Sequence, residues 1–461
     1  MEDKTISRHV LLVAIISFLA ILIIPFFKVA LEWEDAEQAY YSQWFRLGYD
    51  DQPPLYTWIQ ILFNKLLGVN RFSLAGLRAI LFSGTLIVMY KLAINIQKSR
   101  KLAEVTVFLL FLIPVFIDFN FRRLSHTSMM CFLSVSLYYI YSLLLEAKTI
   151  RNYVFLGLII ACGILTKYNF LLQIPAFIIL PFIDSESKRV LWDKKLIVTI
   201  LIVLILISPH FYWLFDNSDY ILLLRESMDR KTGASASHGI FLITPVLAFL
   251  KSFFNIIFPT ILIFSIAYYK RKVIKNHTGN NWFKKLFFLQ LLVVVAIFIF
   301  INSAKISDRW LLPLFLPFFV LLLNSFEYKN IALWKRWSMR VFLIVVFVQL
   351  IRTPIEKLLK IDSSVHHSFE PIATILKDDY PDLQWNLPNV TYAGSIRYEV
   401  PENTVFAADD FTLPKGTIDS TRTVFVLNER NIDYKILDSI VAFGEDKEAV
   451  FFCKKRIDAF K

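Results

Sequence analysis

The chain has 461 residues, of which 56% are hydrophobic and only 19% charged, and phenylalanine alone occurs 44 times. Soluble domains are usually about 45–50% apolar, so this composition indicates a protein whose solvent is mostly lipid. The three cysteines form no CxxC pair, which argues against a disulfide framework and against a zinc site. The formal net charge of +12 would by itself suit a nucleic acid partner, but the positions of the basic residues argue for a membrane.

Apolar runs long enough to cross a bilayer follow one another as far as residue 353. The first, 10–30, is too long for the apolar segment of a signal peptide and has no small-residue cleavage site after it, so it is predicted to be an uncleaved helix. Since about 20 residues cross the hydrocarbon, the pattern predicts an all-α membrane domain, 1–353, with about eleven spans. The other runs cover 74–96, 103–117, 127–145, 152–166, 168–183, 195–214, 240–267, 287–301, 310–326 and 340–353. The two runs beside Lys167 are alternatively one broken or re-entrant segment.

Lysine and arginine lie mainly on alternate connecting loops, which are short. By the positive-inside rule these loops and the N-terminus are predicted to be cytoplasmic, and the other loops and the C-terminal tail to lie outside. Anionic lipid then explains the positive charge more simply than nucleic acid does. The basic loops contain Lys4/Arg8, Lys98/Arg100/Lys101, Lys148/Arg151, Lys188/Arg189/Lys194/Lys195, Lys270–Lys285 and Lys329–Arg340, and the outer loops are 31–72, 117–126, the turn at Lys167, 215–239 and 302–309.

The tail, 354–461, is predicted to form a small periplasmic or extracellular α/β domain. Helical spacing occurs from Phe369 to Asp379. β-Branched and aromatic residues predict strands at 390–398, 423–426 and 449–453, separated by turn-forming residues. The tail contains no recognisable catalytic motif.

The first outer loop, 31–72, is unusually acidic. Aromatic residues follow its first acids at helical spacing, which suits a helix lying in the membrane interface. Pro53-Pro54 then forces an extended turn. The loop is therefore predicted to hold carboxylates at the lipid surface. Its acids are Glu34, Asp35, Glu37, Asp50 and Asp51, and its aromatic residues include Tyr40, Tyr41, Trp44 and Phe45.

This loop resembles the first periplasmic loop of the GT-C glycosyltransferases related to protein O-mannosyltransferases and to the aminoarabinose transferase of lipid A (glycosyltransferase families 39 and 83). That family has an Asp-Glu pair after its first membrane helix, and one branch continues with Gly-Tyr-x-x-x-Pro-Pro-Leu-x-x-Trp. The matching residues are Glu34-Asp35, Gln43, Gly48, Tyr49, Pro53, Pro54, Leu55 and Trp58. Weaker matches are Leu124-Ser125-His126-Thr127, Leu165-Thr166-Lys167-Tyr168 and Asp308-Arg309-Trp310-Leu311-Leu312-Pro313. The resemblance covers residues 10–325 and is specific only in 33–58.

Two departures from the family pattern matter. The acidic pair is inverted, so with the register kept by Pro53-Pro54 the family's catalytic Asp falls on Glu34 and its Glu partner on Asp35. Both residues therefore stay candidates. A second family Asp, near the fourth helix, is replaced by Thr127.

The resemblance implies an inverting transfer of sugar from a polyprenyl-phosphate donor to a hydroxyl or amine on the outer face of the membrane. Glu34 or Asp35 would be the general base. Cations would balance the departing phosphate, and Phe-rich helices would hold the polyprenyl chain. No Asp-x-Asp motif occurs, so metal-independent chemistry is expected, although Asp50-Asp51 leave a divalent cation open. The residues implied in substrate binding are Glu37, Tyr49, Lys167, Tyr168, Arg123, His126 and Arg309, with Arg122 as a further phosphate candidate.

Each of these side chains also has a plain structural interpretation. The acids can be solvated loop residues, and Glu37 can support Glu34 by hydrogen bonding. Lys167 can extend to the interface, and arginines beside a membrane helix can be interface anchors. His126 can cap a helix, and Arg309 can pair with Asp308.

The resemblance names neither sugar nor acceptor. An envelope lipid such as lipopolysaccharide, or a glycan, in a bacterial inner membrane is the first expectation, and protein O-glycosylation is an alternative. A lipid-linked substrate transporter or a membrane-anchored assembly protein is an alternative of another class. The acids lie on an outer loop rather than at mid-membrane, and no inverted repeat is visible, which favours the enzyme. A ligase using diphosphate-linked donors is the nearest rival, but it would need a large late outer loop, and 302–309 is short.

Overall fold

A computed structural model describes the whole chain except residues 1–4, 51, 124, 234–241, 271–272, 276–280, 362–363, 367, 415, 420–421, 429–437, 444–448 and 454–461. Leu124 and Asp51 of the predicted motifs thus lie outside the described residues. Helices dominate the chain up to residue 358. They are α1 (Arg8–Ile23), α2 (Trp33–Tyr41), α3 (Leu55–Leu67), α4 (Arg71–Gln97), α5 (Arg100–Leu109), α6 (Pro114–Arg122), α7 (His126–Glu146), α8 (Ile150–Thr166), α9 (Ile174–Ile183), α10 (Ser185–Leu191), α11 (Leu196–Asp216), α12 (Ser218–Thr232), α13 (Ile243–Tyr269), α14 (Asn281–Phe300), α15 (Asp308–Phe315), α16 (Phe319–Asn324) and α17 (Ile331–Leu358).

Within the described residues, seven helices are long and apolar enough to cross a membrane, and two strongly bent pairs would raise that number to nine. The chain is thus an integral membrane protein. The number is lower than the eleven predicted spans because several apolar runs are interrupted. Pro114 bends the helical segments of 100–122 by 74°, and the run at 310–326 is divided by a 3₁₀ turn at Leu316–Phe318. Proline has no N–H for the helical ladder, which favours such breaks.

The helix also breaks at Lys167, where the sequence allowed either two spans or one broken segment. Helix α8 ends at Thr166, Lys167 is extended (φ −162°, ψ 129°), and a 3₁₀ turn from Tyr168 to Gln173 leads into α9. Helices α9 and α10 then meet at 116°. The break removes Lys167 from a regular helix and places it at the end of α8.

The tail contains α18 (Glu370–Asp379), α19 (Val390–Glu399) and a five-stranded sheet. The sheet has the order β4-β3-β5-β7-β6, with β3 parallel to β4 and β5, and β7 antiparallel to β5 and β6. Its strands are β3 (Gln384–Leu387), β4 (Val405–Ala407), β5 (Thr423–Asn428), β6 (Asp438–Phe443) and β7 (Ala449–Cys453), and a separate pair joins β1 (Val273–Lys275) to β2 (Phe326–Tyr328).

The helix expected at 369–379 and the strands expected at 423–426 and 449–453 are confirmed. The strand predicted at 390–398 is wrong, because this segment forms α19. Asn389 caps that helix by accepting from the Tyr392 N–H at 2.9 Å, and such a cap outweighs the modest strand preference of the residues that follow. The expected domain boundary at 353 falls within α17, which continues to Leu358.

The tail packs directly on the acidic loop, 31–72. A Cβ atom on Gly394 of α19 would lie 1.8 Å from the carbonyl oxygen of Ala36 in α2, so only glycine permits this helix contact. Tyr40 and Tyr49 of the loop are buried in one apolar cluster with Trp385 and Ile396 of the tail. The acidic loop is therefore held between the membrane helices and the C-terminal sheet.

Candidate active site

Helix α2 carries the acidic pair in its first turn, where the helix dipole favours negative charge. Glu34 and Asp35 are adjacent, so their side chains leave the helix about 100° apart and meet different neighbours. The fold therefore gives Glu34 and Asp35 different environments, although the sequence alone did not show which of them is the general base.

Asp35 points into the protein. Its two carboxylate oxygens accept from the Arg78 guanidinium of α4 at 2.5 and 3.3 Å. The Arg78 side chain is completely buried, and that of Asp35 is 7% exposed. Asp35 is therefore engaged in a bidentate ion pair that joins α2 to the membrane helices.

The Glu34 side chain is more accessible than that of Asp35, with 18% of its surface exposed. One carboxylate oxygen accepts from the Ser125 backbone N–H at 2.7 Å and from the Ser125 hydroxyl at 2.9 Å. The other oxygen lies 3.6 Å from the guanidinium of Arg309, which is 41% exposed. Glu34 is thus oriented by hydrogen bonds at one oxygen while the second oxygen faces an accessible cation.

Further charged residues surround Glu34. Glu37 lies one helical turn along α2, and its carboxyl interacts electrostatically with Glu34, Asp50, Lys231 and Arg309. Lys231, on α12, interacts with the same acids. Lys167 interacts with Glu34 and Arg309 and donates to the Thr127 hydroxyl at 2.9 Å. We call these residues the charged cluster: Glu34, Glu37, Asp50, Lys167, Lys231 and Arg309.

Burial governs the proton affinities in this cluster. It raises the pKa of Glu37 to about 8, with the carboxylates of Glu34 and Asp50 adding to the rise. It likewise raises the pKa of Asp50 to about 7, with Asp410 of the tail contributing. Burial also lowers the pKa of Lys231, against the attraction of Asp50. Carboxyls with such pKa values exchange protons near neutral pH, as acid–base chemistry requires.

Two other predicted binding residues adjoin the cluster. The buried His126 ring lies 3.2 Å from the Gln38 side-chain nitrogen of α2 and 3.2 Å from the Thr166 carbonyl, beside the break at Lys167. The Tyr168 hydroxyl lies 3.0 Å from His210, whose other ring nitrogen lies 2.6 Å from the Leu47 carbonyl. Both side chains thus connect the outer loop to the helix break.

The remaining predicted residues lie apart from the cluster contacts. The Tyr49 hydroxyl donates to the Trp44 carbonyl at 2.6 Å, which closes a turn within the outer loop. Arg123 is exposed and stacks over Phe119 at 4.9 Å. Arg122 is buried in ion pairs with Glu32 and Glu356, so it joins α6 to the start of α2 and to α17.

An apolar groove of about 530 Å³ lies between α6 and the C-terminal half of α17. Its apolar lining includes Phe111, Ile117, Val345 and Val348, and its polar lining includes Asp118, Asp308 and Arg352. Asp308 precedes Arg309 of the charged cluster in the chain. The groove has the apolar character needed by a lipid chain.

Within the described residues, no three His, Cys, Asp or Glu side chains lie close enough to hold a metal ion. The expectation of metal-independent chemistry stays a prediction.

Sequence reasoning missed Arg78 and Lys231, and it gave Asp50 no role beyond a possible divalent-cation site with Asp51. Arg78 had a usable signal, since a lone arginine inside an apolar run of α4 is costly without a partner. Lys231 had no such signal in the sequence, because only the folded structure brings α12 close to the acidic loop.

Comparisons with known proteins agree with this architecture. Residues 51–213 match the model of the dolichyl-phosphate-mannose-protein mannosyltransferase family. Two lipopolysaccharide core galacturonosyltransferases of Rhizobium johnstonii, RgtB and RgtA, are 27% and 26% identical to the chain. Those alignments cover 70% and 69% of this chain and 66% and 64% of the two relatives, so the match spans slightly less than two thirds of their length.

The fold is similar to that of ArnT from Cupriavidus metallidurans. The TM-score is 0.65 both to the structure bound to undecaprenyl phosphate and to the apo structure, at 12% and 11% identity. Each comparison covers 96% of this chain and 97% of ArnT. In fold the chain is thus similar to ArnT, and in sequence it is similar to membrane glycosyltransferases. Among these are the lipopolysaccharide core galacturonosyltransferases.

Proposed function

We propose that the protein transfers a sugar from a polyprenyl-phosphate donor to a hydroxyl or amine acceptor on the outer face of the membrane, with Glu34 as general base. The observation that carries this proposal is the different environment of the two adjacent acids. Asp35 has both oxygens on Arg78, whereas one oxygen of Glu34 faces the accessible Arg309. A base must reach the acceptor's proton, which favours Glu34.

The reaction is a single displacement. The acceptor oxygen or nitrogen attacks the anomeric carbon and loses its proton to Glu34. The bond between that carbon and the phosphate oxygen breaks, and the polyprenyl phosphate leaves with the electron pair. The anomeric configuration is inverted.

Cations of the charged cluster would balance the leaving phosphate. Lys167, Lys231 and Arg309 all interact with Glu34, so a phosphate bound among them would lie close to the base. Arginine presents a planar fork to phosphate oxygens, and lysine acts as a point charge. The apolar groove, whose lining includes Asp308, would hold the polyprenyl chain.

The relatives suggest the substrates. Two are named as galacturonosyltransferases of the lipopolysaccharide core, and one ArnT structure contains undecaprenyl phosphate. We infer a uronic acid or a related sugar as the transferred group and an envelope lipid as the acceptor.

The proposed orientation follows the charge pattern. The basic loops lie on the cytoplasmic side of a bacterial inner membrane. The acidic loop and the tail, 354–461, which we call the C-terminal unit, lie on the periplasmic side. We propose eleven crossings, and this number includes the bent pairs and the shorter apolar helices. The C-terminal unit would then lie outside the membrane, on top of α2.

Comparison of envelope glycolipids by mass spectrometry, with and without the gene, tests the proposal. Loss of a mass equal to one sugar is expected, restored by the wild-type chain and by Glu327→Gln but not by Glu34→Gln. Glu327 is exposed on β2, away from the acidic loop, and is the matched control. An unchanged glycolipid profile with an intact donor pool would overturn the proposal.

A further inference from the structure

One buried carboxylate of the C-terminal unit contacts the acidic loop at several points. Asp410 follows β4, and its side chain is fully buried. It accepts from the Tyr40 hydroxyl of α2 at 3.0 Å and from the Arg46 guanidinium at 3.0 Å. It also accepts from the backbone N–H of Thr412 at 3.0 Å. One carboxylate thus holds both the end of α2 and the segment that follows it.

Neighbouring contacts reinforce this attachment. Gln43 exchanges two hydrogen bonds with the backbone of Val405 in β4, at 2.9 and 3.1 Å. The Thr412 hydroxyl accepts from Arg46 at 3.1 Å and from the Asp50 N–H at 3.4 Å. Segment 42–50 is therefore joined to the tail at both of its ends.

The segment leads to the charged cluster. Asp50 has a φ of 40°, a left-handed conformation that a non-glycine residue keeps only when its surroundings hold it. Its carboxyl interacts with Lys231 and with Glu37, which lies one helical turn before Tyr40. The carboxylates of Glu37 and Asp50 are thus both carried by backbone segments that hydrogen bonds to Asp410 and Thr412 fix in place.

We propose that Asp410 is a positioning residue, through which the C-terminal unit sets the placement of Glu37 and Asp50 in the charged cluster. This inference rests on the proposed transferase function and assigns the tail a part in it. The tail then acts on the reaction itself, whether or not it also contacts the acceptor. A displacement of about 1 Å in such a site can lower a rate about a hundredfold.

Because charged groups surround Asp50, the positioning role of Asp410 can be measured through the pH dependence of the activity. Asp50 faces Asp409 and Asp410 of the tail, Lys231 and Tyr220 of α12, and Tyr41 and Glu37 of α2. Asp410→Asn removes one negative charge from this set while keeping the shape of the side chain. The pKa of Asp50 should therefore fall, and any limb of the pH profile that reports it should move to lower pH.

The test uses the full-length protein in lipid nanodiscs. For Asp410→Asn and Thr412→Ala we expect a kcat at least about tenfold lower, with KM for the donor within about twofold. The pH profile of the residual activity of Asp410→Asn should move to lower pH. Hydrogen–deuterium exchange should accelerate in segment 42–50. Glu402→Gln is the control, since it removes an exposed ion pair with Lys377 from the same unit.

The possible outcomes separate the two proposals. A wild-type kcat and pH profile in Asp410→Asn, or a loss of folded protein with unchanged kcat per folded molecule, would overturn the positioning role. Unchanged exchange in segment 42–50 would overturn it as well. Faster exchange in the variant combined with no transfer by the wild type would support the attachment and overturn the transferase function instead.

Discussion

The guanidinium of Arg78 donates to both carboxylate oxygens of Asp35, at 2.5 and 3.3 Å, inside the protein. This pair occupies both oxygens of Asp35, so the adjacent Glu34 is the more accessible acid of the two. The division of roles between two neighbouring carboxylates is the basis of the first prediction.

Asp35→Asn should destabilise the protein, because it leaves the buried Arg78 guanidinium without its counter-charge. Removing one partner of a buried ion pair costs about 3–5 kcal/mol. Thermal unfolding of the detergent-solubilised protein measures the loss. The double variant Asp35→Leu, Arg78→Met should recover most of it, since no unpaired charge remains. If Asp35→Asn is as stable as the wild type yet inactive in transfer, Asp35 is the base and our assignment is wrong.

The Glu37 carboxyl should make the stability of the folded protein fall as pH rises. Its pKa in the folded protein is raised by burial to about 8 from an ordinary 4.5, so the neutral form is the one the fold prefers. Its contribution to stability is fully present below pH 4.5 and is lost as pH rises through about 8. Glu37→Gln should flatten the dependence of Tm on pH across this window. The residual slope should come partly from Asp50, whose pKa is also raised.

The exposed Glu327→Gln is the control for that measurement and should keep the wild-type slope. An equal slope in Glu37→Gln and in the wild type would contradict the placement of Glu37 in a buried, negatively charged setting.

A large side chain in the apolar groove should impair use of a long donor. Val345→Trp fills space between α6 and α17, so KM for a polyprenyl-phosphate sugar should rise about tenfold or more. KM for a donor with a short, water-soluble chain should change little. Leu343→Trp, two residues away and exposed outside the groove lining, is the matched control. Equal effects of the two substitutions would argue that the chain binds elsewhere.

Gly394→Ala should separate the C-terminal unit from α2. The new Cβ atom would lie 1.8 Å from the Ala36 carbonyl oxygen, and because that neighbour is backbone it cannot rotate away. Overpacking of this kind costs about 1–3 kcal/mol, and Tm should fall accordingly. The neighbouring Ser395→Ala removes a buried hydroxyl that has no hydrogen-bond partner among the described residues, and it should be neutral or stabilising. A Gly394→Ala protein with unchanged Tm would show that α19 does not rest on α2.

Several residues of the candidate site could be predicted because their signals are local in sequence. The acids after the first helix, the polar turn at Lys167 and the late Asp308-Arg309 pair all interrupt apolar runs, and the structure places them near one another. Segment 390–398 shows the limit of local preference, since Asn389 and tertiary packing selected a helix there. Breaks such as that at Pro114 likewise reduced the number of regular spans.

The sequence by itself determined that the protein lies in a membrane, that an acidic loop follows its first helix and that the tail contains both a helix and strands. These properties depend on hydropathy and on residue spacing, both of which are local. Only the tertiary structure decided that Asp35 pairs with Arg78 while Glu34 remains accessible, that Lys231 joins the cluster and that Asp410 holds the loop. Those relations connect residues far apart in the chain, and they depend on the direction in which each side chain leaves its helix.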